Sequence, residues 1–335
     1  MNCAWREYDE QRKDLRLSEL HRCVLCKATW MSGDAVDCLI IGGGPAGLTA
    51  AIYAARFRLR VCLIDAGQSR AALIPLTRNH AGFPEGISGV ALLERMREQA
   101  QKWGAALRGG AIHSLARRGG GFVATWADGE VAARAVLMAT GLTSHRPDMS
   151  DDVHLAALAA GCFRYCPVCD GFEVMDQDVA VIGTGARGAK EALFLRSFTD
   201  RVTLIAPNGA HVLDADERRA LADAAVVLAN GPLEAMALAP SGLRLQFGRA
   251  TKVFECVYPA LGATVHSDLA ARLGAAVTAE GCLKVDAHQR TSADGLYAAG
   301  DVVIGLDQIS HAMGEAGVAA TTIRNNLPAR RPLLR

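Results

Sequence analysis

The sequence predicts an α/β chain with two nucleotide-binding units, each a strand, a glycine turn, a helix and a second strand, and a cysteine pair between them. Three observations predict it. An apolar run from Val36 to Ile41 leads into Gly42-Gly43-Gly44-Pro45-Ala46-Gly47 and an alanine-rich helix, Leu48 to Arg56. A second run, Asp178 to Ile182, leads into Gly183-Thr184-Gly185-Ala186-Arg187-Gly188 and a helix through Arg196. Between the two stands Tyr165-Cys166-Pro167-Val168-Cys169-Asp170-Gly171. At 335 residues the chain is longer than one compact core usually holds, so two domains are expected.

In the first unit, Gly42, Gly44 and Gly47 let backbone amides approach a pyrophosphate at the helix N-terminus, with Pro45 and Ala46 in the same turn. The next strand, Val61 to Ile64, ends at Asp65, whose carboxylate is placed for ribose hydroxyls. A glycine turn alone is weak evidence; strand, helix and acid together favour a dinucleotide site over a structural turn. Asn79 to Gly89 reads as a turn-rich loop before a helix, Val90 to Trp103. Residues 111 to 138 alternate and carry glycine turns, which predicts an antiparallel meander. The strand ending Val136-Leu137-Met138 closes on Ala139-Thr140-Gly141, small residues that let the chain pass close to a bound cofactor.

The second unit repeats the first 141 residues later, from Gly42 to Gly183. Gly183, Gly185, Ala186 and Arg187 are candidates to cradle a second pyrophosphate. The ribose acid is missing: the step that leads from Gly42 to Asp65 leads from Gly183 to Ala206, followed by Pro207 and Asn208. Neither a carboxylate for ribose hydroxyls nor an arginine pair for a 2′-phosphate stands there. Residues 230 to 285 read as short strands and turns. A strand then ends at Gly300-Asp301, and a helix is predicted from about Ile309 to Asn325.

Composition narrows the function. The net charge is +1 with no basic block, so nothing suggests a nucleic-acid or charged-membrane partner and none is expected, and no apolar run reaches the roughly 20 residues of a spanning helix. Residues 1–34 carry mixed charges and no apolar signal core, so a cytoplasmic protein with a mobile leader is expected, and Met31 would make a natural start. Ten cysteines then read as reduced thiols with a selected few catalytic. Cys23 and Cys26, with Cys3 and His21 nearby, are read as incidental, and no metal is assigned. Cys38, Cys62, Cys162, Cys256 and Cys282 read as buried small residues.

By itself Cys166-x-x-Cys169 leaves open a metal knuckle, a redox pair or two buried thiols. Its place between two glycine turns favours the redox pair. At a helix start both sulfurs face one side, the helix dipole favours thiolate, and Asp170 is able to hand a proton to a departing sulfur. Arg164 reads equally as a thiolate partner or a solvated cation, and His311 as a structural histidine before a proton relay.

Together these motifs resemble the low-molecular-weight thioredoxin reductases, FAD-dependent pyridine nucleotide-disulfide oxidoreductases. The matching residues are Gly42 to Gly47, Gly82 to Gly89, Ala139 to Gly141, Cys166 to Gly171, Gly183 to Gly188, Gly300-Asp301 and Gln308, in family order over 36–327. The resemblance implies two Rossmann-like, three-layer ββα domains, the second inserted in the first: an FAD-binding domain at 35–146 and 253–335, and an NAD(P)-like domain at 147–252 carrying the cysteines. It implies FAD held by Gly42, Gly44, Gly47, Asp65, Asn79, Asp301 and Gln308, with Gly300 and Ile309 adjoining. It implies a Cys166–Cys169 disulfide, with Cys169 against the flavin, Cys166 exchanging with the partner and Asp170 protonating. It implies a homodimer whose inserted domain rotates.

Three departures stand out. Ala206-Pro207-Asn208 replaces the usual His-Arg-Arg, the second turn ends Arg187-Gly188, and His311 and Glu315 occupy positions commonly smaller. They resemble relatives that take electrons from ferredoxin, oxidise dithiols with oxygen or hold a second flavin. The tail from Ala329 to Arg335 lacks the aromatic of the ferredoxin type. The expectation is a disulfide oxidoreductase with FAD in the first site and NAD(P)H or a second FAD in the other. Its partner is a thioredoxin-like protein or a small disulfide or dithiol. The competing expectation is a redox sensor with little turnover.

Overall fold

The computed structural model describes residues 35–327; Cys23, Cys26, Met31 and the C-terminal tail lie outside them. Strand β1 (Val36–Ile41), helix α1 (Pro45–Arg56) and strand β2 (Val61–Asp65) form the first strand–turn–helix–strand unit. Helix α1 begins at Pro45 rather than Leu48, because proline in the first turn has no amide hydrogen to leave unpaired. Helix α2 (Gly89–Lys102) is capped by the Ser88 hydroxyl, which accepts from the Ala91 amide at 3.2 Å. Strand β3 (Ala106–Gly109) extends the parallel sheet. Strands β4 (Ser114–Arg118), β5 (Gly121–Trp126) and β6 (Gly129–Met138) form the expected meander, giving the order β3-β2-β1-β6-β5-β4. One face of this sheet buries Cys38, Ile40 and Leu63 under helices; the other buries Leu39, Ile41 and Ile64 under the meander. The two-residue alternation of a strand thus serves two cores and makes the layering ββα.

Strand β7 (Leu142–Ser144) leaves this unit, and helix α3 (Asp151–Ala159) and the short helix α4 (Pro167–Asp170) follow. The second sheet is parallel. It contains β8 (Val179–Ile182), β9 (Val202–Ile205) and β10 (Val227–Ala229), with helices α5 (Gly185–Leu195) and α6 (Ala215–Asp223) between them. Its other face is covered by a meander of β11 (Leu233–Ala239), β12 (Gly242–Phe247) and β13 (Ala250–Phe254). Strand β14 (Cys256–Pro259) completes it by pairing with β8. The second unit therefore extends beyond the boundary expected at 253: Cys256, Val257 and Tyr258 are buried in its sheet.

Strand β15 (Ala263–Val265) pairs antiparallel with β7, so the two chain crossings between the units form one ribbon. Strand β16 (Leu296–Ala298) rejoins the first sheet beside β6, and helix α7 (Ile309–Asn326) packs on α1. The fold is α/β with two Rossmann-like sheets. Among the described residues, no helix is long and apolar enough to cross a membrane.

Candidate functional site

The first glycine turn is built for close approach. Gly42 has φ +109, and a Cβ there would lie 2.2 Å from the Ala139 carbonyl oxygen. A Cβ on Gly47 would lie 1.9 Å from the Gly42 carbonyl, so this glycine packs helix against strand and does not line the site. Asp65 accepts from the Gly43 and Gly67 amides at 3.1 Å each, which fixes its carboxylate beside the turn.

The turn opens into a cavity of about 600 Å³. Its lining includes Gly42, Gly44, Pro45, Ala46, Asp65, Asn79, Thr140, Gly141, Gly300, Asp301, Gln308 and Ile309, and also Cys166, Cys169 and Asp170. Residues separated by more than 200 positions thus meet around one space. Arg70, which the sequence reading did not single out, bridges Asp301 at 3.1 Å and Asp307 at 3.7 Å. Burial and the neighbouring Asp301 push the Asp307 carboxyl up to about 6. His311 pairs with Glu315 at 3.1 Å, and Glu315 accepts from the Gly300 amide at 2.7 Å. This favours the structural reading of His311: the pair holds the Gly300-Asp301 turn.

Cys166 and Cys169 form a disulfide across the first turn of α4. Gln308 donates through Nε2 to Cys169 Sγ at 3.0 Å and reaches Cys166 Sγ at 3.5 Å. Its Oε1 accepts from Asn79 at 3.0 Å, and Asn79 accepts in turn from Thr77 at 2.8 Å. Two residues expected at the cofactor are therefore also linked to the sulfur pair. The Tyr165 hydroxyl bonds His154 Nε2 at 2.8 Å, which fixes Tyr165 beside Cys166.

Arg164 is neither solvated nor the simple sulfur partner of the sequence reading. It donates to Asp170 Oδ2 at 3.0 Å, and the Tyr258 hydroxyl donates to Asp170 Oδ1 at 2.8 Å. Burial pushes the Asp170 carboxyl up, while Arg164 and Tyr258 pull it back down. The other described cysteines suit inert roles. Cys38, Cys62, Cys162 and Cys256 are buried, and burial pushes the Cys38 thiol up to about 12; Cys282, expected to be buried as well, is only half-buried.

The second glycine turn stands apart from the cavity: Gly183, Gly185, Ala186 and Arg187 do not line it. The turn is tied to the chain after β9. Thr184 Oγ1 accepts from the Val212 amide at 2.8 Å and donates to the Val212 carbonyl at 3.3 Å. A Cβ on Gly185 would lie 3.5 Å from that same carbonyl. In the first unit the matching residue is Gly43, where a Cβ would fall 2.3 Å from the Asp65 carboxylate. Thr184 therefore fills the place that the first unit gives to its acid. The imidazole of His211 is buried below, bonded to the Leu204 carbonyl at 3.1 Å.

The family described as pyridine nucleotide-disulphide oxidoreductase matches residues 36–316. A thioredoxin reductase of Mycolicibacterium smegmatis is 34% identical over 283 residues, which is 80% of this chain and 88% of that protein. One from Streptomyces coelicolor is 32% identical over 282 residues, covering 81% and 87%. The solved thioredoxin reductase of Streptococcus pyogenes matches with a TM-score of 0.80 at 27% identity, over 88% of this chain and 99% of that one. A glycine cradle, a disulfide on the same cavity and this likeness over most of the chain agree: the protein belongs to the pyridine nucleotide-disulphide oxidoreductases and is a thioredoxin reductase-like, FAD-dependent disulfide oxidoreductase.

Proposed function

We propose that the enzyme passes electrons between an FAD in the cavity below Gly42 and the Cys166–Cys169 disulfide, and on to a partner thiol or disulfide. The observation that carries this reading is that one cavity is lined by both the first glycine turn and the two sulfurs. The residues fit the cofactor. A Cβ would fill the cradle at Gly42, and the Gly44 end of α1 offers amides to a pyrophosphate. Asp65 and Asp301 are carboxylates suited to ribose and ribityl hydroxyls, and Thr140, Gly141, Gln308 and Ile309 would border the ring. When bound, the flavin supplies two-electron transfer to or from a disulfide.

The chain's own residues handle sulfur and protons. Gln308 presents an N–H to Cys169 Sγ, which favours charge on that sulfur. Cys166 is the exchanging thiol. As its thiolate bonds to one sulfur of a partner disulfide, the other partner sulfur leaves with a proton passed through Asp170. Cys169 then attacks Cys166, re-forms the disulfide and releases the second partner thiol. A thioredoxin-like protein is the partner that the relatives' names support; a small disulfide or dithiol would meet the same chemistry. In this reading the FAD domain is split and residues 147 to about 260 form the inserted domain. Release of flavin on denaturation tests it. One FAD per chain is expected, together with turnover that needs both cysteines. A colourless protein that cannot be reconstituted overturns it.

A second reading, the same disulfide chemistry without NADPH, is favoured by Ala206 in place of the ribose acid and by Thr184 bonded to Val212 where the first unit has Gly43. Anaerobic mixing separates the two: a dithiol bleaches the flavin under both readings, and NADPH or NADH does so rapidly only under the first.

A further inference from the structure

We infer that Arg164 and Tyr258 are positioning residues that act on the sulfur chemistry through Asp170, holding its carboxylate for proton exchange with the cysteine pair. This rests on the disulfide exchange proposed above.

Three segments meet at this carboxylate. Asp170 ends α4 directly after Cys169 and lines the cavity with both sulfurs. Tyr258 is fully buried on β14, in the second sheet, and its hydroxyl spends its hydrogen on Asp170 Oδ1 at 2.8 Å. A buried phenol needs such an acceptor. Arg164 is itself anchored: its Nε donates to the Gly161 carbonyl at 2.9 Å and its amide to the Val257 carbonyl at 2.9 Å. From there Nη1 takes Asp170 Oδ2 at 3.0 Å. With each oxygen tied to a different segment, the carboxylate cannot turn freely. A packed frame of this kind holds a proton-transferring group more firmly than the loop after a CxxC does.

The frame also sets charge. The titratable and charged groups facing Asp170 are Arg164 on the strand-like segment before the pair, Tyr258 on β14, Glu173 on the turn after α4, and the buried Cys256, which itself lies under the influence of Arg164. Burial and Glu173 raise the acid; Arg164 and Tyr258 lower it. In the exchange, Cys166 gives its proton to the Asp170 carboxylate. The Cys166 sulfur forms a bond to one partner sulfur, the partner S–S bond breaks, and the departing thiolate takes the proton back. Cys169 then bonds to the Cys166 sulfur, the bond from Cys166 to the partner breaks, and the second partner sulfur leaves with the Cys169 proton; enzyme dithiol and partner disulfide have become enzyme disulfide and partner dithiol, with two electrons moved and no proton lost. The carboxylate must be ionised to begin, so the acid limb of the rate follows its titration.

The test is the pH profile of exchange between the fully reduced, flavin-loaded enzyme and glutathione disulfide, followed by loss of enzyme thiols. In Arg164→Met and Tyr258→Phe the acid limb is expected to move up by about one pH unit or more, since a favourable partner of the ionised form is gone. Arg164→Lys keeps a cation and should return the limb most of the way. In an Asp170→Asn background the limb disappears, and adding Arg164→Met leaves the profile unchanged. The positioning role is overturned if either variant slows exchange equally at every pH, or if Arg164→Met still moves the limb in the Asp170→Asn background, which would put the cation on sulfur directly. An Asp170→Asn enzyme with the parent's profile overturns the role of Asp170 in the exchange and leaves the rest of the disulfide chemistry standing.

Discussion

Gln308 touches Cys169 at 3.0 Å across 139 residues of chain. The residue that opens the last helix of the first unit thus donates to the sulfur that ends the first turn of the redox helix. It ties the two units at the cavity that the first glycine turn and the disulfide share. An N–H on sulfur favours thiolate over thiol. Gln308→Ala is expected to slow dithiol-driven bleaching of the bound flavin about tenfold, the size of one hydrogen bond to a developing charge. Stopped-flow absorbance of the anaerobic enzyme measures it.

The glycine cradle gives a stability and binding prediction. Gly42 has φ +109, and its absent Cβ leaves room for the Ala139 carbonyl. Gly42→Ala is expected to destabilise the chain by about 3 kcal/mol, from backbone strain and overlap, and to lose flavin on gel filtration. Thermal unfolding with and without added FAD checks both.

The second turn is tied to Val212 by the Thr184 side chain. Thr184→Gly removes both hydrogen bonds to Val212 and restores the residue type of the first unit. It is expected to raise the rate at which NADPH or NADH bleaches the flavin, from a parent rate at least about tenfold below that of a dithiol. A parent enzyme bleached as fast by NADPH as by a dithiol would show the turn to be open.

Much of this was legible in the sequence, for a local reason. Gly42, Gly44 and Gly47, Cys166 and Cys169, and Gly300-Asp301 are short runs in which backbone geometry or chemistry admits few residue types. Asp65 follows at a fixed step from the glycine turn, at a strand end, whereas Gln308 was reached only through the family resemblance. What stayed hidden depends on contacts between distant segments. Tyr258 meets Asp170 across 88 residues, and nothing in its apolar surroundings, Cys256 to Pro259, marks the hydroxyl. The missing acid at Ala206 was visible, but its replacement by the Thr184–Val212 bonds was not. The unit boundary near 253 was placed too early because β14 reads like any buried strand; its pairing with β8 decides it. Helix Ala215–Asp223 carries mixed charges, and helix Asp151–Ala159 is short, with two acids ahead of an alanine and leucine run, so neither shows a clear period.

Stability should depend on pH through Glu191. This residue lies on α5 with Oε2 buried and without a hydrogen-bond partner, and burial pushes its carboxyl up to about 7. A carboxyl raised in the fold binds its proton more tightly there than in the unfolded chain. Its contribution is therefore complete below the ordinary carboxylate range and is lost as pH rises through about 7. Glu191→Gln is expected to stabilise the protein by about 2 kcal/mol at roughly pH 8 and to change little at roughly pH 4. Urea unfolding at the two pH values measures the difference.

The central claim is that electrons pass between the redox cysteine pair and the flavin through Cys169. An anaerobic titration of flavin-loaded protein with dithiothreitol tests it most directly, run on the parent chain and on Cys169→Ser. The parent flavin should bleach, and the Cys169→Ser protein should stay yellow with its FAD still bound. Equal bleaching of the two would contradict the claim.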